Sequence, residues 1–144
     1  MKFKIGDEIE VSSREEGYLG SYYEGTVAMK ISKTTCLVEY KNLIEDDGSG
    51  PLTEITAINE IRPKPPVIPF PTEDLSPGDK VDAFDNDGWW IGTICEKKGL
   101  GYVVHFHTTG ETVTVPDTEK LRMHLDWIDE KWVSPKFGVR GWTN

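Results

Sequence analysis

Leu75-Ser76-Pro77-Gly78-Asp79-Lys80-Val81-Asp82-Ala83 restates Phe3-Lys4-Ile5-Gly6-Asp7-Glu8-Ile9-Glu10-Val11 in order and in kind. Each stretch runs from an apolar lead through a Gly-Asp turn into alternating apolar and charged residues, the pattern of a half-buried strand. Working outward, Tyr22-Tyr23-Glu24-Gly25-Thr26-Val27 is matched by Trp89-Trp90-Ile91-Gly92-Thr93-Ile94. Leu37-Val38-Glu39-Tyr40 is matched by Val103-Val104-His105-Phe106, each a strand ending on an aromatic, and Glu60-Ile61-Arg62 by Lys120-Leu121-Arg122. Four landmarks in one order define an internal repeat.

Between the copies, Pro63-Lys64-Pro65-Pro66-Val67-Ile68-Pro69-Phe70-Pro71 lacks the donors a ladder or helix needs and reads as an extended, semi-rigid spacer. A Pro-rich ligand segment is the other reading of that composition. The division is therefore a first module over 1–63, a linker over 64–72, a second module over 73–133 and a tail over 134–144. Each module holds four or five short strands and no long amphipathic helix, so the fold class is all-β. Curling so small a sheet into a barrel removes its exposed edges, and the short linker keeps the two barrels packed together. Ile44-Glu45-Asp46-Asp47-Gly48-Ser49-Gly50 reads as a long acidic loop of the first module with no counterpart in the second. The tail from Ser134 to Asn144, with Trp142, receives no role.

The 144 residues are 37% hydrophobic and 28% charged, a globular composition, with a formal net charge of -9. That charge argues against a phosphate-binding surface and favours basic partners, although acid also serves solubility. Cys36 and Cys95 stand apart in apolar runs, which suits a reduced compartment better than a disulfide. No metal-ligand spacing, cofactor fingerprint, nucleophile triad or phosphate loop is present, so no metal, cofactor or catalytic residue is assigned and an enzyme is not expected. No apolar run is long enough to span a bilayer.

The aromatic pairs carry more. Neighbours on a strand point to opposite faces, so Tyr22-Tyr23 and Trp89-Trp90 cannot both enter one core. Phe84, Trp90 and Phe106 are placed to converge at one end of the second module, beside Asp85, Asp87 or Glu111. Aromatic walls with a carboxylate suit a methylated ammonium, because the cation is drawn to the ring faces at about 0.5–2 kcal/mol per contact. Trp127 and Trp132 flank a turn and read as packing of a closing hairpin, and His105 and His107 as sharing a solvent face.

The motif Gly-Asp-x-Val-(Asp/Glu), the aromatic pair with Gly-Thr-(Ile/Val), and the ending Leu121-Arg122-Met123-His124-Leu125-Asp126-Trp127 with Lys131-Trp132-Val133 together resemble the Agenet domain, the plant branch of the Tudor-like Royal superfamily. The resemblance covers residues 3 to 133. It implies strongly bent tandem barrels that read chromatin, binding the N-terminal tail of histone three methylated at lysine nine, dimethylated above all, in heterochromatin and gene silencing. Carried onto this chain, the Tudor cage falls at Phe84, Trp90 and Phe106, and Trp89 is counted among its candidate residues. In the first module it falls near Ser12 or Ser13, Tyr23 and Tyr40, with Tyr22 or Tyr18 as replacement walls, so both modules stay open as the holder of the cage. Glu45, Asp46, Asp47, Asp85, Asp87 and Glu111 would face the basic tail. A nuclear monomer with no direct nucleic-acid or membrane contact is expected. The competing expectation is a scaffold that binds an unmodified basic peptide.

Overall fold

The computed structural model describes residues 3–12, 20–67, 75–135 and, for the backbone, 138–139. The chain divides into two units, Met1–Lys64 and Pro65–Asn144. In the first unit β1 (Glu8–Ser12), β2 (Ser21–Lys30), β3 (Thr35–Ile44), β4 (Pro51–Ala57) and β5 (Ile61–Pro63) form an antiparallel sheet in which β5 returns to pair with β1. The second unit repeats that plan with β6 (Lys80–Asp85), β7 (Gly88–Lys98), β8 (Gly101–His105), β9 (Thr112–Val115) and β10 (Leu121–Met123), β10 returning to β6. A 3-10 turn precedes the returning strand in each unit (Ile58–Glu60, Thr118–Lys120). The described residues contain strands and 3-10 turns but no α-helix, and the class is all-β.

Equivalent residues occupy equivalent registers. Val11 faces Tyr23 across β1 and β2, and Ala83 faces Trp90 across β6 and β7. Both long strands carry a register shift in the same place, between Val27 and Met29 and between Ile94 and Glu96. Such bulges sharpen the bend that a small barrel requires.

Alternation then builds one core per unit. Phe3, Ile9, Val11, Val27, Val38 and Ile61 close the first, and Leu75, Val81, Ala83, Ile94, Val104 and Leu121 the second. The recurring glycine of the aromatic motif has a steric cause. A Cβ on Gly25 would lie 2.8 Å from the Glu39 carbonyl oxygen, and one on Gly92 would collide with Val104 Cγ1.

Three segments depart from the sequence reading. The acidic stretch 44–50 is a hydrogen-bonded hairpin turn, in which Glu45 N–H donates to the Gly50 carbonyl at 2.9 Å. It does have a counterpart, since Phe106 N–H donates to the Glu111 carbonyl at 2.8 Å across the β8–β9 turn. Much of the extra length of the first unit lies in β3, 10 residues against 5 in β8. Pro63, the first residue of the Pro-rich run but assigned to the first module, ends β5 opposite Ile9, because a strand end at a sheet edge tolerates the missing donor. Ser134, read as tail, belongs to β12, and the backbone of 138–139 adds a strand to it. That small sheet consists of β11 (Asp126–Ile128), β12 (Lys131–Ser134) and β13 (Gly138–Val139). Trp127 and Trp132 pair across its first hairpin with ring centroids 4.9 Å apart, the packing role assigned to them. Ser13, Tyr18, residues 68–72 of the linker and Trp142 lie outside the described residues.

Candidate aromatic cage and its supports

At one end of the second unit a cavity of about 240 Å³ opens to solvent. Phe84 at the end of β6, Trp90 of β7 and Phe106 just after β8 line it, with Asp85 and Glu111 at hand. Asn86, Thr109, Val115 and Lys120 are among its other lining residues, and although Lys120 stands in a repeat landmark, none of them was read as part of the site. Three strand ends and the β8–β9 turn thus bring together residues that are 22 positions apart in sequence, Phe84 to Phe106.

The cavity wall is held from the turn beside it. Asp85 and Gly88 pair across a two-residue connection in which Asn86 (φ 48°) and Asp87 (φ 66°) are both left-handed. This is a tight hairpin turn of the kind that matches strand twist, and Asn and Asp tolerate it better than most residues. Trp90 Nε1 donates to the Asp85 carbonyl at 2.8 Å, so the indole is tied to that turn. Asp87 is exposed on the turn and is not among the lining residues.

Trp89 is placed differently. Its ring lies under the Arg122 guanidinium, 4.3 Å from Cζ to centroid, and meets Phe84 edge-on at 5.2 Å. Trp89, counted with the cage on sequence, is therefore not among the residues that line the cavity, because its ring is taken up by Arg122 and Phe84. Arg122 Nε donates to Asp82 Oδ2 at 2.8 Å, and Asp82 is fully buried. The other oxygen of Asp82 lies 2.8 Å from His124 Nδ1, while His124 Nε2 lies 2.8 Å from Asp126 Oδ1. Burial alone would lower the His124 pKa. The hydrogen bonds to Asp126 and Asp82, with the charges of both carboxylates, outweigh it and raise the pKa to about 9.

The first unit repeats this support without the wall. Arg62 lies over the Tyr22 ring at 3.6 Å and donates to Glu10 Oε1 from Nη2 at 2.8 Å and from Nε at 3.1 Å. Tyr22, like Trp89, is thus an arginine platform. Burial, and then the hydrogen bond that its hydroxyl donates to Glu54 Oε1 at 2.9 Å, push the Tyr40 pKa up. Tyr23 packs against the same core as Tyr40. Ser12 stands where the second unit has Phe84. Asp46 and Asp47 are exposed in the β3–β4 turn, where Asp47 Oδ1 accepts from Ser49 N–H at 2.9 Å. Glu45 accepts from the Thr53 N–H at 3.3 Å.

The pairing of Arg62 with Glu10 and of Arg122 with Asp82 escaped sequence reading. The signal was nonetheless present, since both arginines and both carboxylates occupy matching positions in the repeat. Cys36 is buried and Cys95 exposed, and both are free thiols. No group of three or more potential metal ligands occurs among the described residues.

Two tandem five-stranded β units, one with an aromatic cavity at its mouth, define a binding module of the reader and interaction class. The chain belongs to the Agenet domain family, whose model matches it twice, over residues 6–66 and 78–137. It is 39% identical over 137 residues to Protein AGENET DOMAIN (AGD)-CONTAINING P1 of Arabidopsis thaliana, covering 94% of this chain and 26% of that protein. DUF724 domain-containing protein 6 of the same plant is 34% identical over 133 residues, covering 90% of this chain and 19% of its own length. The chain thus spans about a quarter of the first relative and a fifth of the second. Among solved structures, Arabidopsis thaliana AGDP1 AGD34 matches with a TM-score of 0.85 at 38% identity, over 92% of this chain and 90% of that one. The ADCP1 tandem Agenet domain 3-4 matches with a TM-score of 0.80 at 35% identity, over 92% and 88%.

Proposed function

We propose that this chain reads a methylated lysine on a basic peptide, the N-terminal tail of histone three bearing dimethylated lysine nine, through the cavity of the second module. The observation that supports this most is the convergence of Phe84, Trp90 and Phe106 on one cavity flanked by Asp85 and Glu111. Methylation lowers the hydration cost of the ammonium while the ring faces retain their attraction for it. A carboxylate at the mouth favours the cation and can accept the N–H that a dimethylated lysine still carries. On the same module the exposed Asp87 contributes about 0–1 kcal/mol and acts mainly by steering. Such a reader works in the nucleus, in heterochromatin and gene silencing. The cage is assigned to the second module because Ser12 replaces Phe84 in the first, and because the Tyr40 hydroxyl is committed to Glu54.

The competing reading, a scaffold for an unmodified basic peptide, draws on the net charge of -9. Calorimetric titration of the chain with histone-three tail peptides, unmodified and mono-, di- and trimethylated at lysine nine, separates the two. Affinity that rises with methylation supports the reader. Equal affinity for all four peptides supports the scaffold, and no binding to any of them sinks the lysine-nine reading.

A further inference from the structure

On the second module, away from the residues that line the aromatic cavity, the rings of His105 and His107 meet with centroids 4.8 Å apart and planes at 86°. His105 lies at the end of β8 and His107 follows Phe106, so alternation places both on the face opposite the Val104 core position. Each ring has one nitrogen engaged by a threonine hydroxyl. His105 Nδ1 lies 2.9 Å from Thr112 Oγ1, and His107 Nε2 lies 3.2 Å from Thr93 Oγ1. Thr93 and Thr112 are the cross-strand partners of His105 on its two sides, so four residues from three strands and a turn form one polar row.

We propose that His105 and His107 are a two-histidine chelate for a borderline divalent cation of the zinc, nickel or copper type. A histidine that ligates a metal through one nitrogen ordinarily has the other fixed by a hydrogen bond, which sets tautomer and ring orientation. Here the threonine hydroxyls take Nδ1 of His105 and Nε2 of His107, leaving His105 Nε2 and His107 Nδ1 as the ligating atoms. Neutral imidazole suits these cations, and calcium or magnesium would require oxygen donors that this row does not concentrate.

The spacing fits. With metal–nitrogen bonds of about 2.0–2.1 Å, each ring centroid stands about 3.2 Å from the ion. Two rings at angles between square-planar and tetrahedral then lie about 4.5–5.2 Å apart, a window that contains the observed separation. An edge-to-face contact alone gives a similar distance, so the distinguishing feature is the threonine on each ring. His107 is exposed, which gives an ion access to it from solvent. Two protein ligands leave the remaining positions to water or to a donor from a bound peptide.

The chain has three histidines, which makes the test direct. Zinc chloride is titrated into the full chain carrying Cys95→Ser, which removes the exposed thiol, while the ring C–H signals of the histidines are followed by NMR. The expected result is saturable shifts of two signals, assigned by His105→Gln and His107→Gln, with the third, from His124, unmoved because both its nitrogens are bonded to carboxylates. Either single variant abolishes the saturable shift of the histidine that remains. Thr112→Val leaves both ligands in place and weakens zinc binding by about tenfold. The proposal is overturned if neither signal saturates, if a single variant binds zinc as tightly as its parent, or if Thr112→Val has no effect. None of these outcomes depends on peptide binding.

Discussion

Trp90 Nε1 and the Asp85 carbonyl, 2.8 Å apart, join the largest ring lining the cavity to the turn that closes the β6–β7 hairpin. The bond ties the indole through its ring N–H, and Trp90 is one of the residues that line the cavity. Asp85 also lines the cavity, which places a carboxylate and its anchored aromatic on the same two-strand unit.

Trp90→Phe retains an aromatic ring and loses both that bond and the stronger indole quadrupole. A hydrogen bond of this kind contributes about 0.5–1.5 kcal/mol net, and affinity for the methylated tail falls by roughly tenfold with the hairpin intact. Calorimetry on the variant, with circular dichroism to confirm the fold, measures this.

Gly92→Ala tests the closeness of β7 and β8 behind the cage. The added Cβ meets Val104 Cγ1 and stands 3.1 Å from Phe106 Cε1, so one cavity wall is displaced. Overpacking of this sort costs about 1–3 kcal/mol. The prediction is a lower melting temperature together with loss of methyl-peptide affinity. Gly25→Ala crowds Glu39 and Val38 in the first module, and it is expected to lower stability while leaving peptide affinity unchanged.

The buried ion pair of the first module makes a third prediction. Glu10 is fully buried and Arg62 is 5% exposed, so Arg62→Ala removes the paired cation from a buried carboxylate. Breaking such a pair from one side costs about 3–5 kcal/mol. Replacing both residues, as in Glu10→Met with Arg62→Met, recovers most of that loss. Urea unfolding of the single and double variants reads the difference.

His124 sets a pH dependence. Its folded pKa, about 9, lies above the ordinary histidine value of 6.5, because Asp126 and Asp82 outweigh the effect of burial. The folded state therefore holds a proton that the unfolded chain releases, and this stabilisation is complete below pH 6.5. It is lost as pH rises from there through about 9, to an extent on the order of 3 kcal/mol. Urea unfolding at pH 6 and pH 9.5 should show that loss in the wild type. In His124→Gln the loss across the same window should disappear.

Much of this architecture was legible because the chain states it twice. The Gly-Asp turn, the aromatic pair and the returning Ile61-Arg62 and Leu121-Arg122 recur in one order, and equivalent strands follow at equivalent registers. Alternation along a strand put Trp89 and Trp90 on opposite faces, yet both were counted in the cage, and the structure brings Trp90 but not Trp89 to one cavity with Phe84 and Phe106. What alternation cannot supply is the partner of the second face. Arg62 reaches Glu10 across 52 positions and Arg122 reaches Asp82 across 40, so the platform role of Tyr22 and Trp89 emerges only once β5 and β10 return. Thr109 and Lys120 enter the cavity by the course of the β8–β9 turn and of the 3-10 turn before β10, and the repeat landmark that includes Lys120 gives the strand that follows it but not the direction of the turn. The acidic stretch was misjudged for a related reason. Composition marked Glu45 to Gly50 as loop, while backbone bonds close it into a turn comparable to that before Glu111.

The claim on which the account turns is that the second-module cavity holds the methylated ammonium. Calorimetric titration of wild type, Trp90→Ala and Tyr40→Phe with the dimethylated lysine-nine peptide tests it most directly. Methyl-dependent binding is expected to be lost in Trp90→Ala and kept in Tyr40→Phe. Methyl-dependent binding that survives in a folded Trp90→Ala chain would contradict it and move the site to another part of the molecule.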